Sequence, residues 1–313
     1  MSTTDPGLAG STDESDDLAR GLLGAGIAVC AWSVGTILAK GIEMGGIAIG
    51  AYRFWMFGIG LVIWMRLRGM PFSARVMRKS VWGGIALGAD IALFFSAVKE
   101  TSIVNATIIG SLQPILVGII AAKFFGEKIR KQDAVWSLVA LVGVVVIVAS
   151  SADNEVTSLR GDLLAAAAMF SWGGYFIASK QSKKEMTSTE FTAGTSLWTA
   201  IICTPLGFLF GQDMSVPEIK NIGLLLVMIA VSGVIGHSLM NWSLVRIPLW
   251  VGSTFTLLIP VFSTLLARIF FDEELLAIQA AAMAVVLGSL AVIVRGQSTP
   301  KTTPLPAKQS TSS

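Results

Sequence analysis

Charge is what this sequence has least of. Only 14% of its 313 residues are Asp, Glu, Lys or Arg, where a water-soluble domain carries roughly 25%. Meanwhile 53% are hydrophobic and the mean hydropathy is +0.72. That shortfall excludes an ordinary soluble surface and points to lipid as the solvent. Reactive side chains are equally scarce. The one histidine is His237, and the two cysteines, Cys30 and Cys203, lie inside apolar runs, so neither a disulfide framework nor a thiolate metal site has ligands to draw on. No HExxH, GxSxG or GxxxxGKS/T pattern occurs, which removes the residues for metal-assisted, acyl-transfer and ATP chemistry. The sequence therefore predicts no enzyme, no cofactor and no metal, and a net charge of +3 implies no nucleic-acid patch. Basic residues are also missing from the start, where Asp5, Asp13, Glu14, Asp16 and Asp17 stand. This is opposite to the charged opening of a secretory signal peptide, so the first apolar run is expected to be retained.

Long apolar runs are abundant. Ten stretches approach the ~20 residues needed to cross a hydrocarbon core of ~30 Å: 20–39, 46–65, 80–98, 101–123, 132–150, 161–180, 191–210, 220–243, 248–270 and 275–294. Helices are the expected conformation, because an open sheet edge in lipid would strand backbone donors and acceptors. Residues 1–19 and 296–313 read as disordered tails. With the N-terminus in the cytoplasm, seventeen of the 23 Lys and Arg fall on inner segments and five on outer ends, leaving Arg53 inside a span. That asymmetry places both termini in the cytoplasm.

The sequence repeats itself. SLQPILVGIIAAKFFGEK at 111–128 is echoed by LLIPVFSTLLARIFFDEE at 257–274: a shift of 146 aligns Pro114 with Pro260, Phe124 and Phe125 with Phe270 and Phe271, and Glu127 with Glu273. A shift of 140 aligns Arg20-Gly21 with Arg160-Gly161, Trp32 with Trp172, and Lys40 with Lys180. Two halves of five helices follow, 20–150 and 151–295. Five is odd, so the second half must enter the membrane from the opposite side, and such inverted repeats are characteristic of secondary transporters. The expected fold is an all-α membrane protein of ten transmembrane helices in two inverted five-helix repeats.

On the residues TSIVNATIIGSLQPILVGIIAAKFFGEKI at 101–129, their echo PLWVGSTFTLLIPVFSTLLARIFFDEEL at 248–275, and Tyr52-Arg53-Phe54, the sequence resembles the EamA-type, ten-helix members of the drug/metabolite transporter superfamily. The resemblance implies a basket with a central cavity lined mainly by helices 1 to 4 and 6 to 9, no ATPase, and a shared structural or gating role for Arg53. It also implies export of amino acids or related compounds across the cytoplasmic membrane by alternating access, with uptake by the same fold and a channel-like protein as the alternatives. Asp272 stands where glycine is common, which leaves the tight ending of helix 9 open. A small-molecule substrate and membrane lipids are the expected partners, with self-association left open.

Ionisable residues inside a membrane are costly and mark function by default. Arg53, Asp90 and His237 are the three here. Two readings of Asp90 compete: a role with His237 in proton coupling or in holding substrate charge, and a static pair with Arg53. For His237, a hydrogen bond to Asn241 one turn later competes with a coupling role. Asn105 and Gln113, with Pro114 beside them, are candidates for a cavity lining. Trp32, Trp172 and Tyr175 lie mid-helix, away from the interfacial belt, and read either as packing or as a stacking wall. Pro114 and Pro260 predict one helix bend per repeat.

Overall fold

Helix is the only regular structure among the described residues, 6–101, 103–150, 158–272 and 274–298 of the computed structural model. Each backbone amide in lipid must find its acceptor within its own segment, which selects helices for these apolar runs. The first half contains α1 (Pro6–Gly41), α2 (Gly46–Leu67), α3 (Ala74–Glu100), α4 in two pieces, α4a (Ile103–Gly110) and α4b (Gln113–Phe124), and α5 (Lys131–Ala149). The second contains α6 (Leu159–Ser182), α7 (Ser188–Leu209), α8 as α8a (Ile219–Met228), a π-helical segment (Ile229–Ser238) and α8b (Leu239–Ser243), α9 as α9a (Leu249–Phe255) and α9b (Leu258–Phe271), and α10 (Ala277–Ser298). Among the described residues nine helices are long and apolar enough to cross a membrane. The tenth, α6, has 24 residues, but alanine, glycine and serine dilute its apolar character, and it lies between helices of the other half, α3 and α4.

Several boundaries differ from the sequence reading. α1 is wound from Pro6, so 6–19 continue the first span as helix where a tail was expected. No proline interrupts this stretch, and a helix nucleated in the span extends at one hydrogen bond per added residue. Positions 1–5 and 299–313 lie outside the described residues. α3 starts at Ala74, six residues before its apolar run, since Arg75, Arg78 and Lys79 are good helix formers. α6 starts where the Ser158 hydroxyl accepts the Gly161 amide at 3.0 Å. α7 starts on a capping box, with the Thr187 hydroxyl accepting the Glu190 amide and the Glu190 carboxylate accepting the Thr187 amide at 2.7 Å.

The dominant contacts join helices of opposite halves: α3 with α6 and α7, α2 with α7, α5 with α10, and α1 with α8. Glycines permit the closest of these. The repeated Arg-Gly pairs occupy matching corners. A Cβ on Gly21 would lie 2.6 Å from Arg246 Cβ and 2.8 Å from Ile247 Cγ2, and one on Gly161 would lie 2.6 Å from the Thr101 backbone nitrogen and 2.8 Å from the Glu100 carbonyl carbon. Under the shift of 146, Glu100 and Thr101 correspond to Arg246 and Ile247. Each half thus receives a glycine of the other at the same point of its own third helix. The Arg246 corner lies on the face that carries the start of the chain, where Arg246 Nε donates to Asp17 at 2.8 Å. The Thr101 corner lies at the far end of α3, on the opposite face, where Arg160 reaches Glu100 at 3.2 Å.

Both broken spans break before their proline. α4 is interrupted at Ser111–Leu112 and α9 at Thr256–Leu257, so Pro114 and Pro260 fall in the first turns of α4b and α9b rather than in helix interiors. There the missing amide has no intrahelical acceptor to lose, and the ~3 kcal/mol cost of a central proline is avoided. The two breaks meet: Thr256 Oγ1, whose proton goes to the Ser253 carbonyl at 2.6 Å, lies 3.4 Å from the Gln113 side-chain amide. α4b and α9b also end alike. Gly126 takes φ +65° after α4b, and Asp272, at the matching position, takes φ +53° after α9b. The tight ending therefore forms without glycine, at the ~1 kcal/mol cost of a left-handed aspartate.

Candidate functional site

The π-helical segment and its neighbours bring the mid-membrane candidates together. Arg53 on α2 donates from Nη2 to His237 Nε2 at 2.9 Å, reaches Met228 Sδ from Nη1 at 4.0 Å, and holds its guanidinium 4.7 Å from the Phe54 ring centre. A guanidinium only donates, so Nε2 is the acceptor and the neutral imidazole carries its proton on Nδ1. That proton points to Tyr175 Oη at 3.3 Å. The same oxygen accepts from Asn241 Nδ2 at 2.8 Å, and Asn241 also donates to Thr192 Oγ1 at 3.0 Å and accepts from Ser179 at 2.6 Å. The result is a directed chain from α2 through α8 to α6 and α7. His237 does reach Asn241, by way of Tyr175 rather than directly.

Aromatic rings enclose this chain. Trp32 stands edge-on to Trp172 at 5.2 Å and to His237 at 5.3 Å, Trp172 stacks on Tyr175 at 5.4 Å, and Phe54 meets His237 edge-on at 5.6 Å. Trp32 and Trp172, aligned by the shift of 140, therefore touch across the repeat boundary. Gly236 is required for this arrangement, since a Cβ there would come within 2.6 Å of the Trp32 indole.

Other candidates lie elsewhere. Asp90 is half-buried on α3 and makes no ion pair with Arg53, so the static Arg53–Asp90 link is not formed. Asn105 sits near the opposite face, 3.5 Å from Asp162, which also accepts from Thr101 at 2.7 Å. Gln113 is fully buried at the meeting of the two helix breaks, beside Gly173. A groove of about 350 Å³ opens between α3, α6 and α7 toward that same opposite face, lined by Ala89, Leu93, Ser96, Glu100, Arg160 and Leu164 among others.

A second polar centre escaped the sequence reading. Glu127, just beyond α4b, accepts the Leu249 and Trp250 amides at 2.8 and 3.2 Å and lies 3.7 Å from Lys180 Nζ. Lys180 in turn donates to the Ile247 carbonyl at 2.7 Å. A carboxylate of the first half thus caps the first amides of α9a in the second. The signal was in the repeats, since Glu127 and Lys180 are each marked by a register shift. Nothing in the sequence joined the two.

Lys183 lies just outside α6, donating to Ser188 at 2.9 Å. Burial, with Lys180 and Arg246 nearby, pushes its ammonium down from 10.5 to about 7. In the unfolded chain the lysine keeps its proton up to its ordinary value, so between about pH 7 and 10.5 the unfolded state binds more protons and stability rises with pH. The unfolding midpoint of the purified protein should therefore increase by a few degrees from pH 7 to 9. Lys183→Met should flatten that rise, and an unchanged slope would assign the effect to other groups.

The chain resembles transporters over nearly all of its length. It is 22% identical over 266 residues to the threonine/homoserine exporter RhtA of Escherichia coli, covering 84% of this chain and 87% of RhtA. It is 25% identical over 223 residues to a probable amino-acid metabolite efflux pump of Salmonella typhimurium, covering 66% and 73%, and 26% identical over 255 residues to the transporter YwfM of Bacillus subtilis, covering 80% and 85%. A solved crystal structure superposes with a TM-score of 0.75 at 22% identity, covering 88% of this chain and 96% of the other, and shares the fold. The model of the EamA-like transporter family matches residues 19–149 and again 159–295. With both matches falling on apolar five-helix halves, the chain is a multi-pass protein of the cell membrane and belongs to the EamA-like transporter family.

Proposed function

We propose that this transporter exports amino acids or closely related small metabolites by alternating access, with both termini in the cytoplasm. The observation that carries the reading is the meeting of the two broken helices at Gln113 and Thr256. Two half-helices of opposite halves end against each other at one depth, where tilting of one half against the other changes access without unwinding a span. The names of RhtA and the efflux pump support the cargo class and direction. The excess of Lys and Arg on the segments beside the termini supports the orientation. His237 Nε2 is occupied by Arg53, so Asp90, free of an ion pair with that arginine, is the group we assign to carry a coupling proton.

The test is counterflow in proteoliposomes with a panel of amino acids. Saturable exchange is expected for at least one, and an Asp90→Asn variant should keep exchange while losing acceleration by an imposed pH gradient. Absence of exchange for the whole panel would sink the cargo class. Acceleration unchanged in the variant would remove Asp90 from the coupling.

A further inference from the structure

Arg53 is a cation held in the middle of a membrane protein with no carboxylate of the described residues paired to it. Its contacts are a neutral imidazole, a thioether and a ring face, and its Nε–H is buried with no partner. The Trp32 indole N–H, on a side chain only 7% exposed, is equally unmatched. Trp32 packs against the imidazole that Arg53 holds. A buried N–H left unpaired is destabilising, and an unpaired cation is more so. Two neighbouring donors without an acceptor, one of them on a cation, call for one chemistry, an anion with several lone pairs.

Resting on the export reading above, we propose that Arg53 is the receptor for the carboxylate of the cargo, and that His237 Nε2 occupies the position of one carboxylate oxygen. The guanidinium presents Nε and Nη2 along one edge, the fork that accepts a carboxylate side-on with two parallel hydrogen bonds. Nη2 is the atom that now bonds His237, so a carboxylate arriving at this edge takes over that bond and adds one to Nε. His237 then keeps its link to Tyr175 and loses its link to Arg53, which ties cargo binding to the chain that ends at Asn241, Thr192 and Ser179. Trp32, Trp172 and Tyr175 pack around the His237 ring that this edge now bonds, surroundings that suit the aliphatic remainder of a small amino acid or organic acid better than a second charge.

The experiment measures binding to the purified full chain by ligand-induced thermal shift and by titration. Each of twenty amino acids is set beside its amino alcohol, which replaces the carboxylate with a neutral hydroxymethyl group, and beside its deaminated acid. For each acid that binds, the alcohol should bind about thirtyfold or more weakly, the loss expected when a desolvated charge partner is removed, and the deaminated acid should retain binding. Arg53→Gln should erase the preference for acid over alcohol, and Arg53→Lys should restore only part of it, because an ammonium lacks the fork. Equal binding of acid and alcohol, a preference that survives Arg53→Gln, or no binding by any acid of the panel would each overturn the proposal. The wild-type comparison needs no variant, so a misfolded Arg53→Gln does not shield the idea. Counterflow of amino alcohols at the rate of the acids would overturn the carboxylate receptor and leave transport standing.

Discussion

Replacing Glu127 by alanine should slow counterflow by about tenfold and destabilise the protein by roughly 2–3 kcal/mol. The carboxylate accepts two backbone amides of α9a and faces Lys180, with side-chain exposures of only 13% and 21% for the pair. Breaking a fully buried ion pair costs about 3–5 kcal/mol because the surviving partner stays desolvated, and the residual exposure here lowers that figure. Glu127→Gln should fall between, since one carbonyl oxygen still accepts an amide while the attraction to Lys180 is gone. The contact ties α4b of one half to α9a of the other near the face that carries the termini, so weakening it should favour the conformation open on that side. A cysteine placed at Thr254, which is buried on α9a, should then react faster from that face with a membrane-impermeant thiol reagent. Unchanged labelling together with unchanged counterflow would reduce Glu127 to an ordinary helix cap.

The corner glycines should tolerate an added methyl poorly, Gly161 above all. In Gly161→Ala the new methyl meets the backbone of Glu100 and Thr101 at 2.6 to 2.8 Å. Backbone cannot swing aside as a side-chain end can, and overpacking of this kind costs about 1–3 kcal/mol or more. Folded yield and unfolding midpoint should both drop, the midpoint by several degrees. Gly21→Ala should be milder, because one of its two close contacts, Ile247 Cγ2, belongs to a side chain that can adjust. Gly60→Ala, with open space around it, should be neutral and serves as the control. Equal midpoints for all three would show that α6 and α3 separate easily at this corner.

Much of this architecture is legible in the sequence because lipid simplifies the problem. A residue count near twenty fixes each span, and an odd number of spans per repeat fixes the inversion. The Arg53, His237, Tyr175 and Asn241 group was readable as separate polar residues at apolar depth, the strongest single-residue signal a membrane sequence offers. What joins them was not readable. Asp90 and Asn105 carry the same signal, yet α3 places Asp90 away from any pairing with Arg53, and α4a places Asn105 at Asp162. Facing direction depends on helix rotation, and two irregularities change that rotation by amounts the residues do not state. One is the break at Thr256–Leu257, four residues before Pro260. The other is the π-helical stretch in α8, where no proline appears.

That stretch has an angular consequence. Between Ile229 and Ser238 the backbone is wound more loosely than in an α-helix, so the residues after it are turned about the span's axis relative to a regular continuation. A single residue's advance in an α-helix amounts to about 100° and 1.5 Å, and a tightening of this segment by one residue would swing Leu239–Ser243 through that order of angle while the span hardly changed in length. Asn241 would leave Tyr175, and the His237 ring would point away from Arg53. The angular position of the span's end is thus set by one loosened coil, and the hydrogen bonds of His237 and Asn241 hold it there.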